Sequence, residues 1–137
     1  CNVSKVLFQA TTQRVIGACG GINPSFFALD AATGREIASF PIGQGLDGIG
    51  IDDERGRIVT SNHDGTLSVI AQGGADDFKM LGTVSTSRGA RMMTMDARNG
   101  NLYVVNAGYT SLPPNAKGES VGTFHPNSFV VMTYAPK

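Results

Sequence analysis

Residues 46–52 (LDGIGID) alternate apolar with small or polar positions, the period of a strand whose two faces meet different surroundings. Residues 53–56 carry turn chemistry, and residues 57–61 (RIVTS) predict a second strand. His63-Asp64-Gly65 predicts a tight Asp-Gly turn into a third strand at residues 66–70 (TLSVI). A looser polar segment, residues 71–77, leads to a fourth strand at residues 78–84. Four short strands joined by tight turns make one unit.

That unit recurs on either side. Arg14-Val15-Ile16 lies 43 residues before Arg57-Ile58-Val59, with an innermost strand predicted at residues 6–8, a third at 26–29, a turn at 31–34 and an outer strand at 35–42. Asp52, Gly56 and Asn62 recur 44 residues later as Asp96, Gly100 and Asn106. The last unit starts at residues 90–96 (ARMMTMD), continues at 102–106, and is interrupted by a Pro- and Gly-containing loop at 107–126 before a strand at 128–134. A repeat of roughly 40–50 residues made of short strands predicts propeller blades, each a four-stranded sheet. One blade cannot bury both of its faces, so the chain is read as an arc of a ring. The blades are expected at 1–45, 46–89 and 90–137, the last with three strands. Since closed rings often complete the final blade with a strand from the other end of the chain, this arc is expected to be a C-terminal end. The opening at Cys1, with no initiator Met, likewise reads as a piece or a processed chain.

Composition narrows the function. The 137 residues are too few for a complete ring of four or more blades. Eleven basic residues balance eleven acidic ones, so no basic field exists to attract nucleic acid. Apolar runs are strand-sized and no Lys/Arg-rich amphipathic stretch is present, which disfavours a membrane role. Eighteen glycines without a helical period fit an all-β fold.

Three runs, in order, carry a family resemblance: LDAATGREIASFPIGQGLDGIGID at residues 29–52, SNHDGTLSV at 61–69 and TSRGARMMTMD at 86–96. They resemble the YVTN-repeat β-propellers, the YncE-like and surface-layer-type proteins. The signature strand reads IVTSN at 58–62 and YVVN at 103–106, but decays to VIGAC at 15–19. The resemblance implies a seven-bladed ring of which this chain carries roughly the last three blades, and a periplasmic or extracellular setting. It brings no general catalytic motif and implies no cofactor.

Candidate chemistry gathers where each innermost strand begins. Ser4, Asp47 and Arg91 occupy equivalent positions facing one ring mouth, with Arg88 nearby. They read as a ligand site, an anion clamp built on Arg91, or else as an Asp47–Arg91 bridge pinning adjacent blades. Asp52, Asp96, Asn62 and Asn106 flank turns and read as side-chain-to-backbone caps. His63 and His125 are the only histidines, and no cluster with metal-ligand spacing surrounds them. Ser68 and Ser128 lack nucleophile-elbow glycines. Met93 and Met95 share one strand face and read as blade core, and Cys1 with Cys19 reads as a disulfide across two strands, or as a buried Cys19 with a free Cys1.

The preferred reading is a non-enzymatic, exported scaffold or binding module that engages a protein or small ligand at its loop face or channel mouth. The alternative is a propeller enzyme, lactonase-type or redox-cofactor-bearing, with its site at the channel. The expected partners are the remaining blades of the ring or a second copy of the chain.

Overall fold

A computed structural model describes residues 2–119 and 121–136. The chain forms β1 (Asn2–Gln9), β2 (Arg14–Gly20), β3 (Ser25–Asp30), β4 (Glu36–Pro41), β5 (Leu46–Asp52), β6 (Arg57–Asn62), β7 (Thr66–Gln72), β8 (Phe78–Ser85), β9 (Met93–Asp96), β10 (Asn101–Asn106), β11 (Tyr109–Leu112), β12 (Val121–Phe124) and β13 (Val130–Tyr134). Two four-stranded antiparallel sheets run in chain order, β1-β2-β3-β4 and β5-β6-β7-β8, and a third has three strands in the order β13-β10-β9. The all-β architecture, with meandering four-stranded blades and a smaller last blade, is that of a propeller fragment. No helix among the described residues is long and apolar enough to cross a membrane.

The middle sheet is covered on both sides, and its sequence shows how. Successive residues of a strand point to opposite faces. Ile58 and Ile70 face the first sheet and join Ile16, Phe26 and Ala28 in one buried cluster. Val59 and Leu67 face the third sheet and join Ala90, Leu102 and Val104 in another. Phe26 is fully buried, and its ring sits 6.0 Å from Phe40 and 5.9 Å from Phe78, so aromatics from both outer strands close the first interface.

The alternation in β5 now has a steric cause. Its isoleucines pack toward the first sheet, while Gly48 and Gly50 face Met93 and Met95. A Cβ on Gly48 would lie 2.7 Å from the Met93 Cγ and 2.8 Å from the Ser61 Oγ. The small residues are clearance for the neighbouring blade's methionines.

Polar bonds tie the first two sheets at their edges. Buried Gln9 and Gln72 exchange amide hydrogen bonds at 2.8 and 2.9 Å, and Gln9 also donates to Asp53. Arg14 bridges Asp30 of its own sheet at 3.0 Å and Asp76, ahead of β8, at 2.5 Å.

Two local expectations change. The segment at 107–126, expected as a loop, contains an antiparallel ribbon of β11 and β12, with Tyr109 opposite Phe124 and their rings 4.9 Å apart. This aromatic cross-strand pair stabilises pairing in a stretch whose prolines obscure strand periodicity. The innermost strand of the last blade begins at Met93 rather than at residue 90, because residues 87–90 close a turn through an Ala90 N–H to Ser87 carbonyl bond, with Gly89 at φ 84°.

Two outcomes are expected in urea denaturation. Phe26→Ala lowers stability by about 3–5 kcal/mol, since a fully buried ring is removed from between two sheets. Gly48→Val destabilises as well, and the double variant Gly48→Val/Met93→Ala recovers part of the loss. Independent, additive effects in that double variant would contradict the clearance argument.

Candidate functional site

The positions expected at the ring mouth are not joined. Ser4 lies exposed in β1, and its hydroxyl donates to the Asn2 carbonyl at 3.2 Å. Asp47 is half-buried at the register shift between Leu46 and Gly48. Arg91 is held by its backbone: its carbonyl accepts from the Ser61 hydroxyl at 2.6 Å, and its N–H donates to the Val105 carbonyl at 3.1 Å. No ion pair links Asp47 to Arg91 among the described residues, so the expected inter-blade bridge is not formed. Blades are pinned here through backbone and hydroxyl groups instead.

Arg88 belongs to another grouping. The β4–β5 linker brings Gln44 and Gly45, the β6–β7 turn brings His63 and Asp64, and the β8–β9 linker brings Arg88, around a recess of about 250 Å³. The turn clips both linkers: the His63 N–H donates to the Gly45 carbonyl at 2.9 Å, and the His63 carbonyl accepts from the Gly89 N–H at 2.8 Å. Gly45 must be glycine for this approach, since it sits at φ 73° and a Cβ there would lie 2.7 Å from the His63 Cβ.

The carboxylate of Asp64 is fully engaged. It accepts the Gln44 N–H at 2.6 Å, and its other oxygen accepts the Thr66 N–H at 3.0 Å and the Thr66 hydroxyl at 2.7 Å. The Arg88 guanidinium and the His63 imidazole have no hydrogen-bond or ion-pair partner among the described residues, and both side chains are exposed. Asp64 keeps its charge but its oxygens are turned to the backbone and Thr66, so the groups left without partners are the Arg88 guanidinium and the His63 imidazole. The chemistry of the recess suits an anionic group.

Repeat equivalence separates this recess from the scaffold. Asp52 and Asp96 both cap the turns that follow them: Asp52 accepts the Arg55 N–H at 3.1 Å and Asp96 the Arg98 N–H at 3.0 Å. Asp30 does the same for Ala32 and Thr33. Asn62 is saturated, accepting from the Thr60 hydroxyl and donating to the Thr66 and Ser68 hydroxyls. Asn106, its equivalent, donates to the Arg88 carbonyl at 3.3 Å, while its buried Oδ1 has no partner, because the Thr60 that donates to Asn62 is replaced at the equivalent position by Val104. Recess positions are not reused. Gln44 and Arg88 are one repeat apart, and His63 corresponds to Ala107. The sequence reading singled out Arg88 but missed Gln44 and Asp64; this dissimilarity at equivalent positions was the available signal.

The remaining candidates lie elsewhere. The His125 ring nitrogen Nε2 is 2.7 Å from the Thr110 hydroxyl, beside the β11–β12 ribbon. Ser128 bonds the His125 carbonyl and the Gly108 N–H, and Ser68 is buried in the Asn62 network. Met93 and Met95 pack in the second apolar cluster. Among the described residues no group of three or more His, Cys, Asp or Glu could hold a metal ion. Cys19 is buried and disulfide-bonded; its expected partner Cys1 lies outside the described residues.

The Asp96 carboxyl is held down to about 2, first by its side-chain bonds from Arg98 and then by the Arg98 backbone N–H. A depressed carboxyl favours the folded state above its unfolded value of about 4, and that contribution disappears as pH falls through about 2. An NMR pH titration should therefore find Asp96 titrating near 2, and Arg98→Ala should move it back toward the usual carboxylate range.

No family model and no curated protein matches this chain. Among solved structures, it is similar to BamB from Moraxella catarrhalis, with a TM-score of 0.53 and 17% identity over 69% of this chain and 26% of that one. It is also similar to a functionally unknown protein from Desulfotomaculum acetoxidans DSM 771, with a TM-score of 0.42 and 10% identity over 88% of this chain and 55% of that one. The chain thus spans about a quarter of the BamB chain, and its fold is that of a β-propeller arc.

Proposed function

We propose that this chain is part of a non-enzymatic, exported β-propeller of the YVTN-repeat type, a binding module that takes an anionic group of a small ligand or protein into the recess of Gln44, His63 and Arg88. The observation that carries the reading is the unpartnered Arg88 guanidinium beside a free imidazole, over a carboxylate already bonded to backbone and Thr66. Three loops from two blades converge there, each locked by backbone bonds, so the guanidinium and the imidazole stand on a rigid base. Residues that differ between repeat-equivalent positions are what a recognition site needs, whereas Asp52/Asp96 is what a scaffold reuses. The disulfide at Cys19 supports an oxidising compartment outside the cytosol. Ser4, Asp47 and Arg91 form the inner rim of the same module and widen the surface available to a protein ligand.

The test is a titration of the protein with acetate and with inorganic phosphate, followed by backbone and imidazole NMR. Shifts at Gly45, His63 and Gly89, removed by Arg88→Ala and weakened severalfold by His63→Ala, are expected. Shifts that persist in Arg88→Ala, or no shift at these residues, would overturn the assignment.

A further inference from the structure

Some exposed apolar side chains, such as Val6 and Phe8 of β1 and Val131 of β13, lie in the sheets at the two limits of the arc, where a ring seats its neighbouring blades. Ile22, Tyr109 and Phe124 are of another kind. They stand on the β2–β3 turn and on the β11–β12 ribbon, connections that leave the stacked sheets at one end of the strands. Antiparallel order puts the β4–β5 linker, the β6–β7 turn and the β8–β9 linker at that same end, so the recess of Gln44, His63 and Arg88 shares it. The turns at the opposite end, residues 10–13, 31–35, 53–56, 73–77 and 97–100, contain no Val, Ile, Leu, Met, Phe or Tyr. Solvation alone would treat the two ends alike.

The apolar groups flank the recess on both sides. Ile22 is 90% exposed at its turn, and its carbonyl accepts the Gln44 side-chain amide at 3.5 Å, which sets it against one wall. On the other side Asn106 donates to the Arg88 carbonyl at 3.3 Å, and the ribbon is rooted two residues later, about 7 Å along an extended chain. The His125 N–H closes that root by donating to the Gly108 carbonyl at 2.8 Å. Just beyond it the Tyr109 and Phe124 rings lie 4.9 Å apart. A Cβ on Gly122 would collide with the Tyr109 ring, so the ring lies along the ribbon over the glycine. Tyr109 is 44% and Phe124 59% exposed, so the pair presents an open aromatic plate.

We infer that this end of the arc binds an extended polypeptide segment in which an Asp or Glu side chain lies between two apolar side chains. The acid enters the recess, one apolar residue covers Ile22, and the other, an aromatic, stacks on Tyr109 and Phe124. The inference rests on the anion recess proposed above and names its partner as a protein segment, not a free small anion. Charge-assisted hydrogen bonds to the Arg88 guanidinium fix the register, and the aromatic plate supplies contact area and stacking. An acid alone leaves the apolar groups uncovered. An apolar segment without an acid buries a guanidinium with nothing to pair it, which is costly. The two features therefore select together.

Two kinds of probe separate this inference from the recess itself. Acetate reports on the recess alone, whereas the peptide acetyl-LSESSSF-amide and its reverse, acetyl-FSSSESL-amide, report on recess and flanks together. In NMR titrations of the intact chain, one of the two peptides should bind roughly tenfold tighter than acetyl-SSESSSS-amide. It should shift Gly21, Tyr109 and Phe124 as well as Gly45 and Gly89, and the same peptide with Gln for Glu should lose that affinity. Ile22→Ser, at a position too exposed to affect folding, and Tyr109→Thr should each weaken the peptide severalfold and leave the acetate shifts unchanged. If acetate binds but neither peptide gains over the serine control, or the gain survives both substitutions, this inference is overturned and the recess stands. If acetate and peptides alike leave Gly45, His63 and Gly89 unmoved, both are overturned.

Discussion

The middle sheet must satisfy two apolar neighbours at once, and the remaining structure follows from that demand. Because a strand turns alternate residues to opposite faces, Ile58 and Val59 are adjacent in sequence yet belong to different cores. Neither core is large enough to stand alone as an independent domain centre. Each is a slab between sheets, and the stack holds because each sheet is a wall for the next. The constraint also dictates where bulk is forbidden, which is why β5 carries glycine on the face that Met93 and Met95 occupy.

Polar residues divide into two populations under the same constraint. Those that close turns or pin sheets are buried or backbone-bonded, and some recur: Asp52 and Asp96 cap the same turn in the second and third sheets, and Asp30 caps the β3–β4 turn of the first. Those in the linkers and the β6–β7 turn answer to no such demand once the backbone is held by the His63–Gly45 and Gly89–His63 bonds. Their side chains are free to differ. Arg88 projects without an ion-pair partner among the described residues, while Asp64 accepts from the Gln44 N–H and from Thr66.

The asymmetry between the two interfaces has the same origin. Phe40 and Phe78 meet Phe26 because both the first and second sheets have a fourth strand. Among the described residues the third sheet has three strands, and a groove lined by Leu102 and Tyr134 lies between it and the middle sheet. Elsewhere the last blade departs from the middle one through the β11–β12 ribbon, and through Val104 in place of the Thr60 hydroxyl, which leaves the Asn106 oxygen without a donor.

The repeat of Asp, Gly and Asn at constant spacing, with alternating strands between, determined by itself that the chain is all-β, meandering and built in blades. It also determined the strands of the middle blade nearly to the residue, because turn chemistry and period-two burial are local properties. Only the tertiary structure decided that Arg91 is clasped through its backbone and leaves Asp47 unpaired, and that Arg88 joins His63 and Asp64 around a recess. Those relations join loops of different blades across the ring face. They depend on how neighbouring sheets are stacked, a distance that no spacing along a single chain records.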